Sequence, residues 1–279
     1  MGYKSILTVL SDPRQLSQLD AAAALAARED GHLSVLSLGL DHTQVGYYFP
    51  NGMPYAFQDA IDMAMDQAGS LDQMVRQHLA SQSDLRWSSE AAVAQIGGIA
   101  NLVGMRARFS DLTVLGRPYG PDAPGEAEAV VEAALFEGGC PVLVLPDDNL
   151  PADPPGKVLV AWNQSLEALA AVRRALPLLK AARSVEITII DPRRGTADGP
   201  EPGAPLAQML TRHGVHADIA VLARTSATIS EELNRRATEI AADLVVMGAY
   251  GHSRFRQAIL GGATRNMLEK ARVPVFMAR

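Results

Sequence analysis

Three apolar runs occur along the chain and then occur again in the same order. Lys4-Ser5-Ile6-Leu7-Thr8-Val9-Leu10 resembles Lys157-Val158-Leu159-Val160-Ala161-Trp162. Asp111-Leu112-Thr113-Val114-Leu115-Gly116 resembles Asp243-Leu244-Val245-Val246-Met247-Gly248, and Cys140-Pro141-Val142-Leu143-Val144-Leu145 resembles Val273-Pro274-Val275-Phe276-Met277. Each run is short, rich in β-branched residues and bounded by turn residues, the pattern of a strand buried on both faces. A duplicated domain accounts for the shared order. Between the strands of the second half, Leu166, Leu169, Val172, Leu176 and Leu179 recur at helical spacing, and Pro177 should bend that helix near its end. Val185–Ile190 and His216–Leu222 read as the second and third strands, Ile229, Leu233, Ala237 and Ile240 as an amphipathic helix, and a last helix should open near Gly261. Five strands separated by helices imply parallel βαβ units with right-handed crossovers.

The Pro-rich stretch that contains Pro151, Pro154 and Pro155 divides the chain into residues 1–147, a linker at 148–156, and residues 157–279. The first half carries an additional segment, Asp41–Gln58, with Tyr47, Tyr48, Phe49, Pro50 and Pro54. A loop this long and aromatic is either a functional cover or an interdomain plug. The apolar final strands, Val142–Leu145 and Val273–Met277, need covering if they are sheet edges, which predicts that the halves pair there.

Composition narrows the function classes. The 279 residues are 48% hydrophobic but only 5% aromatic, in keeping with aliphatic helices packed on a buried sheet. With 25 Lys and Arg against 31 Asp and Glu, the net charge of -6 speaks against a general nucleic-acid binder, although a local phosphate site needs only a few donors. The single cysteine, Cys140, excludes an intrachain disulfide framework and reads as a small core residue before a strand. No stretch is long enough and apolar enough to span a membrane, and the run Ile6–Leu10 meets Asp12 and Pro13 too early for a signal peptide, so a cytoplasmic location is expected.

The strongest chemical signal is Met247-Gly248-Ala249-Tyr250-Gly251-His252-Ser253-Arg254-Phe255-Arg256, continuing to Gly261-Gly262-Ala263-Thr264. It follows a buried strand and opens a helix. In open parallel sheets ligands sit beyond the carboxyl ends of the strands, where strand order reverses. Glycines let the backbone approach an anion, and the free N–H groups of a helix start favour phosphate. His252, Arg254 and Arg256 supply positive charge, and for Arg254 and Arg256 an ordinary surface role stands equally open. Met247 reads as a core side chain.

This segment resembles the nucleotide loop of the universal stress protein family: Gly, two residues, Gly, nine residues, Gly, then Ser or Thr. Gly248, Gly251 and Gly261 fit. The resemblance extends over nearly the whole chain, twice, and implies two tandem α/β domains of nucleotide-binding α-hydrolase type. Each would hold a five-stranded parallel open sheet in the order 3-2-1-4-5, with helices on both faces. It implies that Ala161, Trp162, Asn163 and Ile189 line a base and ribose pocket. Gly248, Gly251, Gly261, Gly262, Ala263 and Thr264 would surround the phosphates of ATP, with or without magnesium. Gly262 departs from the family's Ser or Thr, which removes a hydroxyl, and Asn163 stands where an Asp is common.

The first half has lost the loop. After Gly116 come Arg117-Pro118-Tyr119-Gly120, and Glu126 and Glu128 should lie in the first turn of the next helix, where they suit the dipole and repel phosphate. His213 and His216 flank a Gly and read as a solvated turn rather than a metal site. The resulting expectation is a stress-response ATP-binding sensor, not an enzyme beyond very slow ATP hydrolysis. It would act through nucleotide-dependent contacts with other proteins, either as a homodimer or as an intrachain pseudo-dimer. The other reading is a nucleotide-independent scaffold with vestigial pockets.

Overall fold

A computed structural model of the chain describes residues 2–41, 54–121, 123–146, 155–192, 202–249 and 262–279, with only the backbone at 54–57. Most of the Asp41–Gln58 segment and of the 148–156 linker lies outside the described residues, as do Gly251, His252, Arg254 and Gly261.

The chain forms two compact units. The N-terminal unit holds residues 2–118 and 123–140, and the C-terminal unit holds residues 119–121 and 141–279. In the first, β1 (Ser5–Leu10), β2 (His32–Asp41), β3 (Arg86–Gln95) and β4 (Leu112–Gly116) form a parallel sheet in the order β3-β2-β1-β4. Helices α1 (Leu16–Arg28), α2 (Pro54–Leu79), α3 (Ile99–Ala107) and α4 (Ala127–Glu132) alternate with these strands. Helix α2 begins inside the segment read as a loop. Proline is at home there, because the first turn of a helix needs no donor from it.

In the C-terminal unit, β5 (Val142–Leu145) is followed by β6 (Lys157–Ala161), β7 (Ser184–Ile190), β8 (Ala217–Leu222), β9 (Leu244–Gly248) and β10 (Val275–Ala278). Their order is β5-β10-β9-β6-β7-β8. From β6 to β10 all pairs are parallel and follow the expected 3-2-1-4-5 arrangement. Strand β5 runs antiparallel to β10, with Val144 opposite Val275 and Val142 opposite Met277. The two apolar final strands therefore cover one another's edges, as expected.

The central strands are continuous apolar runs because both their faces are covered: β1, β6 and β9 are buried along almost their whole length. The helix after β6 is split into α5 (Leu166–Arg174) and α6 (Leu176–Ala181), with Pro177 in the first turn of the second. The break falls at Ala175, before the proline, since the ring would collide with the carbonyl four residues earlier in an unbroken helix. Ser165 caps α5 by accepting from Ala168 N at 3.1 Å. After β7 and β8 come α7 (Ala204–Arg212) and α8 (Ile229–Glu239), and α9 (Gly262–Lys270) precedes β10. Cys140 is buried before β5, as read from sequence, and its thiol lies 3.3 Å from the Ser110 carbonyl. His213 ends α7 and is followed by Gly214 at φ +81, a turn.

Candidate nucleotide site

The strand order of the C-terminal unit reverses at β6, which has β7 on one side and β9 on the other. At its carboxyl end Ala161 lies opposite Thr188 of β7 and Met247 of β9. The next residue, Trp162, donates from its backbone N to the Thr188 carbonyl at 2.9 Å, and its ring is half-buried. Asn163 is exposed, and its Oδ1 accepts from Ser165 N at 3.1 Å, so the side chain braces the turn into α5. This turn also holds Gln164 in the left-handed region at φ +65. The fold thus brings Ala161, Trp162, Asn163, Met247 and Gly248 to one end of the sheet, at a switch point.

Several of the residues named from sequence are buried side chains. Ile189 is 3% exposed and packs beside Gly203, where α7 begins; a Cβ added to Gly203 would meet Ile189 Cδ1 at 2.9 Å. Met247 is a core side chain. Gly248 is required for a reason other than phosphate approach: an added Cβ would meet Ala168 N at 2.5 Å and Glu167 C at 2.7 Å. The first turn of α5 crosses the end of β9 so closely that no side chain fits between them. Gly262 and Ala263 are exposed at the start of α9, and Thr264 is buried. Among the described residues nothing lies within reach of a Cβ added to Gly262, and the first turn of α9 contains no acid. Among the described residues, no group of three or more His, Cys, Asp or Glu is placed to hold a metal ion.

The corresponding end of the N-terminal sheet is filled. Gln18 of α1 is 2% exposed. Its Nε2 donates to Thr8 Oγ1 and to the Val9 carbonyl, both at 2.9 Å, and its Oε1 accepts from Gly116 N at 2.8 Å. One amide therefore ties β1 to β4 across their switch point. Gln15 adds a second tie, accepting from Ser11 N at 2.8 Å and Asp12 N at 3.0 Å. The space left among Ser11, Gln15, Gln18, Gly116 and Val130 is about 20 Å³, room for no more than about one water molecule. Glu128 lies in the first turn of α4, as expected, and Glu126 is its cap residue. Burial raises the pKa of Glu132 above the ordinary carboxylate range, and neighbouring Glu128 raises it further. Where α1 buries the polar Gln18, the buried residues of α5 are Ala168, Ala171 and Val172, none of them polar. Sequence reasoning missed Gln18 because a glutamine within a helix ordinarily faces solvent; only setting the two halves side by side points to it.

The fold defines a doubly wound α/β protein whose second half reverses its strand order at β6. The model of the universal stress protein family matches residues 155–279. A universal stress protein from Archaeoglobus fulgidus shares the fold at a TM-score of 0.68 and 15% identity, covering 98% of this chain and 96% of that one. A candidate universal stress protein from Pseudomonas aeruginosa does so at a TM-score of 0.54 and 18% identity, covering 99% and 93%. A search of curated proteins found no match. No helix among the described residues is long and apolar enough to cross a membrane.

Proposed function

We propose that this chain is a cytoplasmic stress-response regulator that holds one ATP in its C-terminal half and acts through nucleotide-dependent contacts with other proteins. The observation that carries the reading is the contrast between the two switch points. The buried side chains of α5 in the second half, Ala168, Ala171 and Val172, are all apolar, whereas in the first half Gln18 of α1 ties the switch point shut with a hydrogen-bonded amide. The glycine spacing Gly248, Gly251 and Gly261, the acid-free start of α9 and exposed Asn163 support the phosphate and ribose assignments. His252 and Arg254 would add charge to the phosphates. ATP serves as a ligand, with or without magnesium: the described site offers donors that bind ground and transition states alike, and these tighten binding without speeding turnover. The antiparallel β5–β10 pair covers the edge of β10 that would otherwise be open to a second copy, which speaks against a homodimer through that strand.

The alternative, a nucleotide-independent scaffold, is favoured by Gly262, which lacks the usual hydroxyl, and by the engagement of Asn163 Oδ1 with its own turn. Calorimetry with ATP, together with mass spectrometry of ligand released from the purified chain, separates the two. The expected result is saturable ATP binding that Gly251→Val abolishes. No binding by the parent chain would favour the scaffold, and binding unchanged in that variant would place the phosphates away from the glycine loop.

A further inference from the structure

Strand β3 is the outer strand of the N-terminal sheet, and it runs from Arg86 to Gln95 without a proline or a lysine. Among the described residues no strand pairs with its far edge. A long uncovered edge presents a row of backbone donors and acceptors to another strand. Successive residues of a parallel ladder turn their backbone groups to opposite sides. The Ser89 carbonyl accepts from Arg76 Nη2 at 2.8 Å, so it faces away from β2. Trp87, Ser89 and Ala91 therefore present their N–H and C=O groups at the open edge, while Arg86, Ser88 and Glu90 turn theirs toward β2.

The side chains add a pattern with two-fold symmetry. Arg86, Ser88 and Glu90 share one face of β3, and all three are exposed. Ser88 lies midway between a cation and an anion. A second β3 laid antiparallel about an axis through Ser88 brings Arg86 of each copy opposite Glu90 of the other. Trp87 then stands opposite Ser89, and those two exchange both backbone bonds. Arg86 and Glu90 fall at a non-hydrogen-bonded pair, where Cα atoms lie about 4.5 Å apart and side chains approach closely. Moving the axis to Trp87 or Ser89 keeps the backbone pairing but leaves neither charge opposite its counterpart. Both groups already have partners in the chain, Asp30 for Arg86 and Arg106 for Glu90. Neither is used up: Arg86 is 60% exposed and Glu90 52%, and a guanidinium has five donors and a carboxylate about four acceptor sites. Glu90 also lines an open groove of about 410 Å³, with Ser34, Ser88, Met105 and Phe109, which has room for an incoming guanidinium. Arg76 need not leave, since the Ser89 carbonyl can accept twice.

We infer that the β3 edge is a docking surface for a second copy of this chain, paired antiparallel about a two-fold axis at Ser88 with reciprocal Arg86–Glu90 contacts. Such an interface uses the same patch on both copies, which a self-complementary charge pattern suits. It is independent of whether the chain binds ATP.

The test is sedimentation equilibrium of the full chain. The parent should dimerise reversibly. Arg86→Glu and Glu90→Arg each set like charges opposite one another twice per dimer, and each should weaken the dimer about tenfold or more. An equimolar mixture of the two variants should regain the affinity of the parent, because every pair across the axis again joins opposite charges. A purely in-chain role for these charges could not be rescued by mixing, since Asp30 and Arg106 stay with the altered chain. Ala91→Pro removes an N–H that faces outward, which an edge strand tolerates; it should abolish the dimer and leave the circular dichroism spectrum unchanged. A monomeric parent, a dimer that neither charge variant weakens, or weakened variants that mixing fails to rescue would overturn the inference.

Discussion

At the scale of single residues, two glycines that look equivalent in the sequence have different reasons to be there. Gly248 abuts backbone: an added methyl would sit 2.5 Å from Ala168 N and 2.9 Å from Ala168 Cα, and neither atom can swing aside as the end of a side chain would. Gly248→Ala should therefore cost about 1–3 kcal/mol as overpacking, read as a lowered denaturant midpoint at unchanged slope. A variant as stable as the parent would show that α5 can shift. Gly262 is exposed, and among the described residues nothing lies within reach of a Cβ added there. Gly262→Ser should be tolerated and should restore a hydroxyl at the helix start, tightening ATP by roughly two- to tenfold, the worth of one hydrogen bond. No gain in affinity would place the phosphates elsewhere than at the start of α9. The sequence pattern pointed to both glycines through their spacing but assigned both to phosphate, because a fold contact 80 residues away in the chain leaves no local mark on Gly248.

At the scale of elements, the strands were the most legible, since burial on both faces leaves short runs rich in β-branched residues and bounded by turn residues. Helix ends were less so. Pro177 announced a bend, yet the helix breaks at Ala175, because the constraint acts on the turn before the ring. The start of α2 at Pro54 was obscured by the aromatic and proline content around it. The β8–α8 connection shows a third kind of hidden device. Glu232 of α8 is fully buried and accepts from Thr225 N at 3.2 Å, Thr225 Oγ1 at 3.1 Å and Ser226 N at 3.0 Å, with Arg235 one turn along. The Arg235 guanidinium first, and then the Ser226 and Thr225 donors, hold its pKa down to about 2. A carboxyl with a depressed folded-state pKa stabilises the fold above its unfolded value, near 4.5, and that contribution is lost as pH falls toward about 2. Glu232→Gln should therefore flatten the loss of stability between those two pH values, as followed by thermal melts across the range. An unchanged acid slope would mean that other carboxylates carry it.

At the scale of the whole molecule, duplication followed by divergence explains why one chain carries two similar folds and, on the present reading, one nucleotide. The repeat was legible because strands diverge slowly under the demand for buried apolar side chains. The closure of the first crevice was legible only in part. Glu126 and Glu128 mark it in the sequence, whereas Gln18 acts across 98 residues to reach Gly116 N at 2.8 Å. These two causes are separable by experiment. If the amide alone excluded the nucleotide, Gln18→Ala would open a second site. The helix-start acids argue otherwise, since Glu128 would remain in the first turn of α4, where a polyphosphate would have to sit. Gln18→Ala should instead leave the Gly116 N–H without its acceptor and cost about 1–3 kcal/mol of stability. Calorimetry should still count one ATP per chain, in the parent and in the variant. Adding Glu126→Ser and Glu128→Ser should leave the count at one as well, because the first half has no counterpart of the Gly248–Gly251–Gly261 spacing to bring backbone N–H groups onto phosphate. Two equivalent sites in the parent chain, or a second site gained by Gln18→Ala alone, would show that the first half keeps a working phosphate cradle behind a removable side chain.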